Sequence, residues 1–161
     1  GTEAVLHRIE RANVVVFLDF DQELLAPRYR AAEQAMSLLV QASRVVGRRE
    51  DGGRVLIQTR IPQHPVLEAA RTADPGSLAR TELRIRRELR QPPEAHWAII
   101  SGSAATEFVR SIGNPEGLEI LGPSNDRWRI RSVDREHLVA ALKSVDRPPG
   151  RLRIEIDPLR A

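Results

Sequence analysis

The sequence predicts two folds in tandem: an α/β portion built on a parallel strand–helix–strand unit, then an α+β portion with the order βαββαβ. Three observations carry this expectation. An apolar run rich in β-branched residues, Val14 to Leu18, is followed by a long Ala-rich stretch and then by a second apolar run, Arg54 to Thr59; two such runs separated by a helix-length segment form a βαβ unit. From Ala95 onward, shorter strand and helix signals alternate between Gly- and Pro-bearing turns in the split-βαβ order. Between these halves, Ala73-Asp74-Pro75-Gly76-Ser77 is a short turn-forming stretch, so the expected domains are 1–74 and 75–161.

Taken in order, residues 1–13 form a polar lead-in containing His7, Arg8, Glu10 and Arg11. The absence of an initiator Met there suggests a piece of a longer protein. Val14 to Leu18 reads as a strand buried on both faces, closed by the acidic Asp19-Phe20-Asp21. After Ala26-Pro27, helix formers dominate from Tyr29 to Val46, with Ala32, Ala35, Met36, Leu39 and Val40 recurring at helical spacing as the apolar face. Arg54 to Thr59 is the second strand, and Pro65 suits the first turn of a helix over 65–72.

Leu78 to Gln91 reads as an exposed basic helix, stopped by Pro92-Pro93 because proline lacks a backbone donor and disfavours a helical predecessor. Strands follow at 95–102, 117–121, 127–133 and 152–157, with helices at 104–112 and 135–145. In the third of these strands Arg127, Arg129 and Arg131 alternate with Trp128 and Ile130; in the last, Arg151, Arg153, Glu155 and Asp157 alternate with Leu152, Ile154 and Ile156. Period-two alternation puts the charged side chains on the sheet face away from the helices. A platform for single strands normally adds exposed aromatic rings, and none is expected here because Trp128 faces inward.

Composition sets limits on function. The chain has 161 residues, no cysteine and no apolar run near the ~18 residues of a membrane span, so disulfide frameworks, thiolate zinc sites and bilayer-crossing helices are excluded. Of its 25 basic residues only Lys143 is lysine. The basicity is therefore guanidinium, suited to forked contacts with phosphate or carboxylate. Residues 1–74 carry ten basic and ten acidic groups, whereas residues 75–161 carry fifteen and twelve and so hold the whole net charge of +3. Such an excess is compatible with a polyanionic partner. Arg84 and Arg87 on the basic helix, with Arg127, Arg129, Arg131, Arg151 and Arg153 on the sheet, are the candidate DNA-binding residues.

Catalytic constellations are sparse. His7, His64, His96 and His137 stand alone, without a metal-ligand spacing or a paired nucleophile. Asp19 and Asp21, at the carboxyl end of a strand, are where a magnesium ion could sit in a parallel sheet. No Gly-rich loop followed by Lys and Ser or Thr occurs, so this stretch alone is not expected to hydrolyse a nucleotide.

Five blocks carry a family resemblance: LDFDQELLAPRYRAAEQAMSLLVQASRVVGR, GGRVLIQTRIPQHPVLEAA, RRELRQPPEAHWAIISG, EILGPSNDRWRIRS and RLRIEIDP. In that order they resemble the final third of the bacterial primosomal protein N′ family, the PriA replication-restart helicases. The resemblance implies that residues up to about Asp74 end a RecA-like lobe of a superfamily 2 helicase, and that the rest is a ferredoxin-like C-terminal domain. It implies forked or single-stranded DNA, the single-strand-binding protein and other primosome proteins as partners, and a cytoplasmic, nucleoid-associated location without membrane contact. ATP and Mg belong to the full-length family, and zinc to a part of the parent outside this chain; no cofactor is expected within it.

The family's Q-x-x-G-R-x-G-R motif falls on residues 41–48. Gln41, Gly47 and Arg48 match, while Arg44 and Val45 replace the motif's glycine and its first arginine. By resemblance Arg48 is the finger-like residue, and Gln41, Arg44 and Gly47 lie near the nucleotide. The preceding G-T-Q-M-x-x-K-G motif matches only at Gly1 and Thr2. Loss of a finger costs ~10³–10⁵ in rate, so the resemblance implies a degenerate motor in a primosome-assembly protein acting at stalled forks. The alternatives are an active ATP-dependent 3′→5′ DNA helicase and a purely protein-binding C-terminal module.

Overall fold

The computed structural model describes residues 2–158 and divides them into two compact units, 2–82 and 83–158. Gly1, one of the two matching positions of the lead-in motif, lies outside the described residues.

In the first unit, β1 (Val14–Phe17) and β2 (Arg54–Ile57) pair in parallel, Val14 opposite Arg54 and Phe17 opposite Ile57. The crossover is α3 (Ala31–Val46), preceded by α1 (Thr2–Leu6) and the single turn α2 (Asp21–Leu24), and followed by α4 (Pro65–Arg71). Phe17, Phe20, Leu24, Ala35, Leu39 and Val66 form the heart of the core. The polar lead-in is partly helical, and Leu6 reaches that core.

Two expectations need correction here. The first strand is not buried on both faces: Val14, Val16 and Leu18 are 47, 53 and 75% exposed, and Leu56 beside them is 52% exposed. Among the described residues the helices pack on one face of a two-stranded sheet, so alternate side chains stay in solvent. The apolar face of α3 is likewise displaced, with Leu38 buried and Val40 at 37% exposure.

Helix α5 (Pro75–Glu88) starts within the expected linker, since Asp74 caps the turn by accepting from the Ser77 N–H (3.1 Å). Its Leu78 joins the first core, and its last residues belong to the second unit. There β3 (His96–Ser101), α6 (Ala105–Ile112), β4 (Glu119–Ser124), β5 (Arg127–Ser132), α7 (Arg135–Lys143) and β6 (Arg153–Ile156) realise the βαββαβ order. The sheet order is β4-β5-β3-β6, antiparallel throughout. Ala98, Ile100 and Ile130 face Phe108, Val109, Leu138 and Leu142, so both helices cover one side.

Strand β4 runs through Gly122-Pro123 rather than ending there. The register slips between Leu121 and Ser124, a bulge that lets the strand continue to the turn at Asn125-Asp126. Both turn residues have positive φ (49° and 56°), as a two-residue primed hairpin requires.

The turn after β3 is equally constrained. Gly102 has φ +107°, and a Cβ built there would lie 2.2 Å from the Arg151 carbonyl oxygen. Gly113, with φ +74°, has nothing within 4 Å of such a Cβ. Gly102→Ala is therefore expected to destabilise the protein by at least ~2 kcal/mol, combining backbone strain with a collision that must displace main chain, whereas Gly113→Ala carries only the strain of ~1 kcal/mol. Urea denaturation of the two variants checks the difference, and equal losses would contradict it.

Candidate nucleic-acid interface

The open face of the antiparallel sheet is set by register. Arg127, Arg129 and Arg131 of β5 stand opposite Ser101, Ile99 and Trp97 of β3, and Arg153 and Glu155 of β6 stand opposite Ser101 and Ile99. The alternation in β5 therefore places its arginines as expected, and Trp128 turns to the helix side, where its Nε1 donates to Thr106 Oγ1 (3.2 Å). Arg151 lies just before β6, in the connection from α7.

The expectation of a face without aromatic residues is corrected by Trp97. It points to the open side but is only 4% exposed, because the Arg129 guanidinium lies 4.5 Å over its ring and its Nε1 donates to the Arg90 carbonyl (3.1 Å). A ring so covered anchors the sheet to residues 89–95 and cannot stack on a base. Arg129 has Ile99 and Leu121 as cross-strand neighbours, which is why the ring and not a carboxylate receives it, and its Nε is buried without a hydrogen-bond partner.

The remaining arginines divide into paired and unpaired. Arg131 is forked onto the Glu119 carboxylate, its direct partner on β4, and donates to the Leu89 carbonyl (3.1 Å). Arg153 donates to Glu155 (2.7 Å) and Arg87 to Glu94 (3.0 Å). Arg86, which the sequence reading left in a solvated helix, is buried and donates to the Pro92 carbonyl (3.4 Å). Arg84, Arg127 and Arg151 are exposed, and among the described residues no acid pairs with them.

Arg127 and Arg151 come together at one end of the sheet. Close approach of Gly102 to Arg151, the Ser103 Oγ accepting from the Arg151 N–H (3.1 Å), and the Ala104 N–H donating to the Arg151 carbonyl (3.1 Å) hold the β3–α6 turn against the start of β6. The β4–β5 hairpin supplies Arg127 from the other side. A cleft of about 690 Å³ between them is lined by Arg127, Arg151 and Arg153.

The residues assigned to nucleotide contact lie in the first unit. Gln41 is on α3 and donates to Ser37 Oγ (3.4 Å); Arg44 is exposed in the helix's last turn. Gly47 ends the helix with φ +72°, and exposed Arg48 opens a tight loop closed by the Gly53 N–H donating to its carbonyl (3.1 Å). Val45, where the family motif has its first arginine, is buried.

Asp19 and Asp21 serve structure. Asp19 (φ +52°) accepts from Gln22 Nε2 (2.6 Å), while Asp21 accepts from Thr59 Oγ1 and the Arg60 N–H (2.9 Å), bonds that hold its carboxyl below the usual range. Among the described residues no three His, Cys, Asp or Glu gather as metal ligands.

No family model matches the chain. Curated relatives do. Over 90% of its length the chain is 33% identical to the replication restart protein PriA of Bacillus subtilis (strain 168), covering 21% of that protein. It is 30% identical to the PriA protein of Synechocystis over 77% of the chain and 16% of the relative. Identity reaches 41% with the Treponema pallidum PriA protein, over 65% of the chain and 18% of the relative. The chain thus belongs among bacterial replication-restart proteins. The family is PriA, and the chain spans about a fifth of the length of these relatives.

His64 yields a test of the first unit. Its Nδ1 accepts from the Val66 N–H (3.3 Å) and caps α4. Burial pushes the imidazole below its ordinary value of 6.5, against the opposing pull of Asp21. The folded state therefore favours the neutral ring, whose lone pair makes the cap. This contribution is present above about pH 6.5 and is lost as pH falls through the folded value. Denaturation midpoints are expected to fall on acidification through that range in the wild type, and to stay flatter in His64→Asn, which keeps a capping acceptor without the titration.

Proposed function

We propose that this chain is the DNA-contacting and assembly-promoting part of a replication-restart protein that acts at stalled or forked DNA, its share of the motor being degenerate. The observation that carries this reading is the convergence of Arg127 and Arg151, from two separate chain segments, at one end of the sheet with no acid paired to either. Side chains held this way offer guanidinium to a phosphate at low cost in lost pairing. The family relationship supports the restart role, since the relatives are named for it.

In this reading residues 1–74 end a RecA-like lobe and residues 75–161 form a ferredoxin-like C-terminal domain. Partners are forked or single-stranded DNA, the single-strand-binding protein and other primosome proteins, in the cytoplasm at the nucleoid. No helix among the described residues is long and apolar enough to cross a membrane. The buried Val45 supports a weakened motor, because an arginine finger must reach a transferring phosphate.

Fluorescence anisotropy with forked DNA across a salt series tests the DNA contact. Each phosphate contact to single strand contributes about −0.7 to the log–log slope; a salt-independent signal, or no binding, would favour a purely protein-binding module. For the motor, the full-length protein is expected to show little DNA-stimulated ATP hydrolysis. Clear turnover that Arg48→Ala abolishes would establish the active helicase instead.

A further inference from the structure

The four-stranded sheet has two edges, and they differ. On β4 the ladder slips between Leu121 and Ser124, and Pro123 within the slip has no N–H to offer, so that edge is blunted against further pairing. Strand β6 has neither device. It lies outside β3 in unbroken register from Arg153 to Ile156, and among the described residues no strand lies beyond it.

Which main-chain groups of β6 face outward follows from its ladder. The Asp157 N–H donates to the Trp97 carbonyl (2.7 Å), and the Arg151 N–H and carbonyl are both taken by the β3–α6 turn. Odd-numbered residues therefore turn their main chain toward β3, while Leu152, Ile154 and Ile156 turn theirs away. Side chains alternate as well. Arg153 and Glu155 stand on the open face, Leu152 and Ile154 pack on the helix-side core, and Ile156 is 37% exposed at its margin, because α6 and α7 lie over β3 and β5.

This edge is complementary to itself. Laid antiparallel on a second copy with Ile154 opposite Ile154, it sets Arg153 against Glu155 on both sides of the centre, and Leu152 against Ile156. The residues with outward N–H and C=O then face one another as hydrogen-bonded pairs. A slip of one residue would set Ile154 against Glu155, and a slip of two would oppose Glu155 to Glu155 or Arg153 to Arg153, so the charges select a single register. We infer that β6 pairs with β6 of a second copy of this chain about a two-fold axis, joining two four-stranded sheets into one. Four residues per strand make a small contact, so the dimer is weak and forms as concentration rises. Arg153, bonded to Glu155 of its own chain (2.7 Å), exchanges it for the same carboxylate across the axis, which fixes orientation more than it adds strength.

Sedimentation equilibrium of the whole chain, from micromolar to near-millimolar, is expected to show monomers giving way to dimers. Amide exchange at Ile154 and Ile156 should slow as concentration rises, while Glu155, whose N–H faces β3, keeps its rate. Ile156→Pro removes an outward N–H without touching the β3 ladder and should abolish the dimer. Arg153→Glu, or Glu155→Arg, sets like charges opposite each other and should weaken it about tenfold. Mixed together, these two charge variants should pair with each other at least as tightly as the wild type pairs with itself, a rescue that misfolding cannot produce. A chain that stays monomeric throughout would overturn the inference. So would a dimer indifferent to Ile156→Pro and to both charge reversals, and its loss in Leu18→Ser would assign the contact to the apolar strip of the first unit instead.

Discussion

Strand β3 is hydrogen-bonded on both sides, to β5 and to β6, and the register of those two ladders decides what each face of the second unit presents. Ala98 opposite Ile130 and Ile156, and Ile100 opposite Trp128 and Ile154, put the aliphatic set under the helices. A slip of one residue would turn Arg129 into that core and Ile130 into water, so burial of Ile130 and the guanidinium surface are one constraint seen from two sides. The bulge at Gly122-Pro123 and the left-handed turn after it then deliver Arg127 to the sheet's end without disturbing the ladder.

Much of this architecture was legible in residue order. Alternation in β5 predicted which side its arginines take, because period two is a local property of one strand. The parallel pair in the first unit followed from two apolar runs and the helix between them. What escaped was whatever depends on partners distant in sequence. Glu119 neutralises Arg131 only because β4 is registered against β5, and nothing near either residue shows it. Trp97 sits in a run, HWAIIS, that is apolar on both sides, so no alternation reveals which way its ring points. The burial of Arg86 depends on the chain turning back at Pro92 to offer a carbonyl. His64 had a weaker signal: it precedes Pro65 at the first helical position, where a capping acceptor is wanted.

The two units handle arginine differently. In the first, Val45 is buried, and Arg44 and Arg48 flank a helix end capped by Gly47 in a left-handed conformation. In the second, arginines are abundant but several are occupied: one covers an indole, one is forked on a glutamate, one holds a turn from within. Candidate phosphate contacts are thereby concentrated on a few side chains whose cross-strand or loop neighbours happen to be hydroxyls or glycine. Counting guanidinium groups in the sequence overstates the surface they offer.

The uncovered side of the β1–β2 pair has a practical consequence. Val14, Val16, Leu18 and Leu56 form an aliphatic strip on a sheet of only two strands, each with an outer edge whose main-chain groups meet no neighbour within the described sheet. Strips of this kind adhere to one another and to hydrophobic vessels, and open edges can recruit a further strand. Purified samples of this polypeptide will thus have a solubility ceiling governed by the first unit, and mild detergent or a polar residue at Leu18 is the natural remedy.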